Sequence, residues 1–191
     1  MPLNLPKISL PEGYDKLLLH SCCAPCSCEI MSTLSFSGID YSILFYNPNI
    51  DNKTEYEKRK FENMRFAEKL SVNFHDGDYD CSEWLTCVKG YENEPEKGLR
   101  CKKCFEFRLV GAAQFAKIND YRIFTSSLGI SRWKNFEQVC SAGVKAASQF
   151  DDLVYWQYNW RKKGGSERMD FISKTENFYR QNYCGCKYSK R

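Results

Sequence analysis

Lys16-Leu-Leu-Leu-His20-Ser21-Cys22-Cys23-Ala24-Pro25-Cys26 is the stretch on which the reading of this chain turns. Three consecutive leucines read as a strand buried on both faces, the pattern of a parallel sheet. Four thiols follow at once, at Cys22, Cys23, Cys26 and Cys28, and the segment from Glu29 to Phe36 reads as a helix stopped by Gly38. The same alternation continues downstream. Strands are expected at 41–46, 72–74, 121–126 and 153–156. Helices are expected from a Thr54/Glu57 capping box to about Leu70, over 81–89, from Cys104 onward, over 135–150, and over 166–180 after a flexible Gly164-Gly165 joint. Phe105, Leu109, Ala112 and Ala116 share one face of the third of these. Strands alternating with helices predict an α/β fold, a parallel sheet flanked by helices. Ligands of such sheets lie beyond the C-terminal strand ends, where the first cysteine cluster sits.

Eight of the eleven cysteines fall in three places: 22–28, Cys101-x-x-Cys104 and Cys184-Gly185-Cys186. Clusters at ligand spacing hold a metal or carry electrons more often than they fill core. The opening Met-Pro-Leu-Asn-Leu-Pro-Lys lacks the basic-then-apolar order of an export signal, and no apolar run is long enough to span a membrane. A cytoplasmic protein with no membrane partner is the expectation, and there structural disulfides are rare. Cys22 and Cys23 with Cys101 and Cys104 offer four thiolates, and a helix start at the second pair would favour the ionised form. Either zinc or an iron–sulfur cluster satisfies that donor set; Cys23-x-x-Cys26 with Cys101-x-x-Cys104 would suit zinc. Cys184-Gly185-Cys186 suits a small, easily reduced disulfide, two further ligands or a loose tail. Cys81, Cys87 and Cys140 read as packing, Cys28 as a helix-face thiol, and His20, Asp76 and Asp78 as hydrogen-bonding or capping groups more often than catalytic ones.

The 191 residues, 42% hydrophobic and 27% charged, suit one core, read as a single domain over 1–191. The net charge of +4 says little about partners. From about 155 to 191, however, Arg161, Lys162, Lys163, Arg168, Lys174, Arg180, Lys187, Lys190 and Arg191 alternate with Tyr155, Trp156, Tyr158, Trp160, Phe178, Tyr179 and Tyr183, a composition that suits single-stranded RNA.

The motifs resemble the QueH-type epoxyqueuosine reductases. The matching stretches are Leu17 to Cys26, Phe45-Tyr-Asn-Pro-Asn-Ile50, Glu55-Tyr-Glu-Lys-Arg59, Arg100-Cys-Lys-Lys-Cys-Phe105, Arg108-Leu109, Phe124-Thr-Ser-Ser-Leu128 and Tyr179-Arg-Gln-Asn-Tyr-Cys-Gly-Cys186. The resemblance implies an adenine-nucleotide-hydrolase-like fold (PP-loop or HUP-like). It implies reduction of epoxyqueuosine in tRNA to queuosine with a [4Fe-4S] cluster on Cys22, Cys23, Cys101 and Cys104. Cys184 and Cys186 become a redox-active disulfide, Cys26 a metal-proximal residue for a second iron, and the segment from about 155 the part that completes the site. An electron donor is required and is not identified by the sequence. Two departures stand out: Arg132-Trp133-Lys134 where the family tends to place Pro before the Lys, and the extra thiol Cys28. An ATP-using PP-loop enzyme is excluded, because Ser-Cys-Cys-Ala-Pro-Cys replaces the glycine-rich phosphate cradle. The rival reading is a zinc-stabilised RNA-binding or thiol-exchange protein.

Overall fold

In the computed structural model, which describes residues 4–77 and 79–189, Leu17, Leu18 and Leu19 have no exposed surface. Their strand, β1 (Lys16–His20), is the middle of five, as an apolar run without alternation requires. The others are β2 (Asp40–Phe45), β3 (Asn73–Asp76), β4 (Ile123–Ser126) and β5 (Val154–Tyr155), in the order β3-β2-β1-β4-β5, and every pair is parallel. The α/β class and the parallel sheet read from the sequence are thus present.

Alternate side chains along the strands feed two cores. Leu18, Leu44 and Phe124 pack with α4 (Leu99–Ile118) and α5 (Phe136–Ala147). Leu17, Leu19, Ile43 and Ile123 pack with α1 (Ala24–Phe36), α2 (Lys53–Lys69) and α6 (Gly165–Thr175). Each fully buried leucine contributes about 2 kcal/mol. The short α3 (Ser82–Cys87) lies against α4, where Trp84 and Val88 make a small core with Cys104 and Cys186.

Several boundaries differ from the expectations, each for a local reason. Helix α1 starts at Ala24, five residues early: Pro25 sits in its first turn, where a missing N–H costs nothing, so Cys26 and Cys28 are helical. Helix α2 is capped by Asn52, whose side chain accepts from Glu55 N at 3.1 Å, and Thr54 lies inside the helix. Helix α4 begins at Leu99, which puts Cys104 in its second turn. Gly164-Gly165 is no flexible joint, since a Cβ on Gly165 would stand 1.9 Å from the Trp160 carbonyl oxygen. Helix α6 ends at Thr175, and the chain to Cys186 is irregular. Asp76 lies on β3, where it accepts from Tyr56 and Lys60, while Asp78, Lys190 and Arg191 fall outside the described residues.

Candidate active site

Strands β1 and β4 are neighbours whose connections leave to opposite sides, which opens a crevice at their C-terminal ends. The cysteine turn emerges there and is fixed from several sides. Ser21 N–H continues the pairing to the Leu44 carbonyl at 2.8 Å, and Cys22 N–H bonds Ser127 Oγ at 3.0 Å. Asn47 Nδ2 donates to the Ser21 carbonyl at 2.9 Å. His20 Nε2 lies 3.0 Å from the Tyr46 carbonyl, which only accepts, so that nitrogen carries the proton. Burial first, and then Arg108, lower the His20 pKa to about 3, so the ring is neutral and Nδ1 accepts from Ser126 Oγ at 2.7 Å. The histidine is a structural strut, as its strand-end position suggested.

Three sulfurs, those of Cys22, Cys23 and Cys26, lie within 4.8 Å of one another, with Cys22 and Cys23 3.8 Å apart. The thiols of Cys23 and Cys26 hydrogen-bond to Cys22 and hold it well below the ordinary thiol value against burial, and Lys134 and Arg108 assist. Cys23 is correspondingly pushed up to about 11, first by that same bond. Cys101 and Cys104 project from the first turns of α4 into the same cavity. Their expected bias toward thiolate is not seen in the bare chain: burial raises Cys101 and pushes Cys104 up to about 12, outweighing the Arg108 charge. Burial alone would lower Lys134, but the sulfurs of Cys184, Cys22, Cys26 and Cys23 hold its ammonium above the ordinary value.

The C-terminal segment crosses this site under restraint. Arg59, 3% exposed, forms a 2.7 Å ion pair with Glu55 and donates to the carbonyls of Cys184 at 3.0 Å and Tyr183 at 3.2 Å. Tyr179 OH donates to the other Glu55 oxygen, and Asp51 N–H bonds the Gly185 carbonyl. Gly185 has φ +106°, and a Cβ there would meet Ile50 at 2.9 Å, so only glycine fits between the two cysteines. Gln181 Nε2 reaches the Cys23 sulfur at 2.9 Å. Cys184 is exposed, whereas Cys186 is buried against Trp84 and Cys104 and its thiol is pushed up to about 11, chiefly by burial. All eleven cysteines are free thiols in this structure.

The space between these groups is an open-mouthed cavity of about 520 Å³ lined by Cys22, Cys26, Cys101, Cys104, Cys184 and Cys186 together. Seven Lys or Arg residues line it against two carboxylates, Glu96 and Asp170. Buried polar atoms without a partner in ordinary hydrogen-bond geometry include Asn49 Oδ1, Trp84 Nε1, Arg108 Nε and Gln181 Oε1, all on lining residues. Such orphans imply a polar occupant. Soft sulfur donors, an excess of buried positive charge and unpaired polar groups fit an anionic thiolate-bound iron centre.

Reasoning on cysteines alone missed Arg108, Lys134, Trp84 and Gln181. Arg59, Arg108 and Gln181 do stand inside the quoted motif stretches, and that membership was the available signal. Of the remaining cysteines, Cys140 is buried as expected, Cys81 and Cys87 are half-buried at the ends of α3, and Cys28 is buried under α6, bonded to the Met169 carbonyl. The basic aromatic tail is less available than its composition suggested. Tyr155, Trp160 and Phe178 are core, Arg161 and Arg168 bond within the chain, and burial of those rings outweighs any use as open platforms.

Comparison with known proteins agrees with this arrangement. A family profile described as Epoxyqueuosine reductase QueH matches residues 17–191. The Acinetobacter baylyi protein named Epoxyqueuosine reductase QueH is 60% identical over 97% of this chain and 85% of its own length. The proteins of the same name from Histophilus somni and Thermotoga maritima are 57% identical (100% of this chain, 78% of theirs) and 35% identical (91% and 89%). No helix among the described residues is long and apolar enough to cross a membrane. With the cysteine turn, the C-x-x-C helix and the C-G-C segment gathered on one cavity and the match running from β1 to the last residue, the chain belongs to the epoxyqueuosine reductase QueH family and is an oxidoreductase.

Proposed function

We infer that the protein reduces epoxyqueuosine in tRNA to queuosine, the last step in making that base. Cys22, Cys23, Cys101 and Cys104 hold a [4Fe-4S] cluster, and Cys26 serves a second iron. The observation that carries the reading is the convergence of all three cysteine groups on one cation-lined cavity. When bound, the cluster supplies one-electron transfer and a Lewis acid toward oxygen. Removal of an epoxide oxygen to leave an alkene takes two electrons and two protons and releases water. The Cys184 and Cys186 thiols supply both as they join in a disulfide, so the step balances within the chain. Cys186, protonated at neutral pH, keeps its hydrogen until it is used. Cys184, exposed, is the sulfur an external electron donor reaches to restore the pair. Arg59 and the Asp51 N–H hold the segment between them, and Lys134 and Arg108 hold positive charge against the sulfurs. Residues 1–191 act as one domain in the cytoplasm, with the segment from about 155 completing the site; the Gln181 contact to Cys23 supports that part.

Replacement Cys184→Ser tests the electron route. Turnover is abolished, by at least about a thousandfold as expected for loss of an essential redox partner, while the brown chromophore survives. Normal turnover in that variant removes the pair from the mechanism.

A second reading has one observation in its favour. Sulfurs on one tetrahedral ion lie about 3.8 Å apart, from a metal–sulfur length near 2.3 Å, and Cys22 and Cys23 match it. A zinc-stabilised RNA-binding or thiol-exchange protein would use the trio in that way. Metal analysis of anaerobically isolated protein separates the two.

A further inference from the structure

Trp133 stands 61% exposed on the lip of the thiol cavity, within the turn from Ser131 to Lys134. A lone apolar side chain on a surface is ordinary and signifies nothing by itself. Three features set this one apart. First, the turn beneath it is pinned. Lys134 N–H bonds the Ser131 carbonyl at 3.0 Å, and the Arg161 guanidinium donates to the carbonyls of both Ser131 and Lys134. An indole carried on a fixed turn loses little entropy when a ligand docks on it. Second, the Arg132 guanidinium lies 4.9 Å from the ring centroid, so a cation and an aromatic plane are presented as a unit. Third, the surroundings are cationic. Lys97 and Lys134 line the same cavity, and Gln138 Nε2 ties the Lys97 carbonyl to the start of α5 at 2.9 Å.

An enzyme that works on a base must first take it out of its stack, which leaves the neighbouring base without a stacking partner. A fixed aromatic plane at the mouth of the cavity replaces that lost contact. We propose that Trp133, with Arg132 beside it, is a stacking platform for the unpaired nucleobase next to the one that enters the cavity, and that Lys97 takes an adjoining phosphate. The inference deepens the tRNA-reductase reading and rests on it.

The test is binding of an unmodified tRNA transcript to the intact protein at low salt, read by filter retention and by tryptophan emission. Trp84 and Trp160 are buried and Trp156 is half-buried, but Trp84 also lines the cavity, so the part of the emission change that Trp133→Ala removes is the part that reports on Trp133. Wild type should bind with quenched emission. Trp133→Ala should lose most of the quenching and bind roughly ten- to a hundredfold more weakly, the effect of removing one base–aromatic stack, and Trp133→Phe should recover most of the affinity. Its exposure makes the variant's folding secure, and far-ultraviolet circular dichroism verifies it. Unchanged affinity in Trp133→Ala, or unquenched emission in wild type saturated with transcript, overturns the platform alone. A wild-type protein that does not bind the transcript overturns the tRNA reading as well.

Discussion

Arg59 is the residue on which the geometry of the C-terminal cysteines most depends. Its guanidinium joins one carboxylate to two carbonyls of the Tyr183–Cys184 segment, a fork that lysine cannot reproduce. Arg59→Lys keeps the charge but loses the carbonyl bonds, each worth about 1.5–3 kcal/mol with a charged donor. Turnover should fall by at least about tenfold, and limited proteolysis should cut the C-terminal segment faster; equal cutting in both proteins would remove the clamp. Arg108 acts through charge. It is buried, bonds Asn47 Oδ1, and forms no ion pair among the described residues. Arg108→Leu removes a cation from beside the sulfurs, so the more negative, reduced state of the proposed iron–sulfur centre loses stabilisation. Its reduction potential should drop, by about 60 mV if the interaction is near 1.4 kcal/mol; a rise or no change under redox titration contradicts this role. Apart from their place in the motif stretches, neither arginine announces itself in the sequence. Thiols stand out by rarity and spacing, whereas an arginine facing the core reads like one facing water until a fold buries it.

At the scale of elements, apolar runs located the strands well. β1 runs from Lys16 to His20 as read, because three leucines in succession leave no other economical burial. Helix starts were less legible. The first turns of α1 and α4 carry cysteines and charged residues that belong to the site, so they lack the periodicity that marks a helix surface. The junction of α1 with α6 was not legible at all, since it depends on contact between residues far apart. There Arg168 pairs with Glu29 at 2.6 Å, and the Glu29 side chain is only 2% exposed. Burial raises the Glu29 carboxyl above its ordinary value and Arg168 pulls it back only in part. With the folded value above the unfolded one, this group's contribution is greatest below the unfolded pKa and falls as pH rises through the folded one. Arg168→Met strands the carboxylate and should cost about 3–5 kcal/mol at neutral pH. Glu29→Gln should cost less and flatten that fall with pH. Urea unfolding across pH measures both, and equal losses would contradict the assignment. Gly165→Ala should destabilise by about 1–3 kcal/mol through overpacking against the Trp160 carbonyl, whereas a flexible joint would tolerate it; thermal unfolding decides.

At the scale of the whole molecule, the strand order β3-β2-β1-β4-β5 places the cysteine turn at the switch point, and α4 and the C-terminal segment close over it. The sequence indicated that strands and helices alternate; it carried no order for them, because order is set by which faces find each other. The surplus of cations around the cavity predicts tRNA binding that weakens on the order of tenfold or more over a fourfold rise in salt, through counterion release. Affinity flat over that range would remove phosphate contacts from the account. The claim beneath all of this is that the cysteine turn and the C-x-x-C helix serve one iron–sulfur centre. The absorption spectrum of anaerobically isolated protein, before and after dithionite, tests it most directly. The account predicts a broad visible band that bleaches on reduction and is lost in Cys104→Ser. A colourless protein containing zinc alone would contradict it.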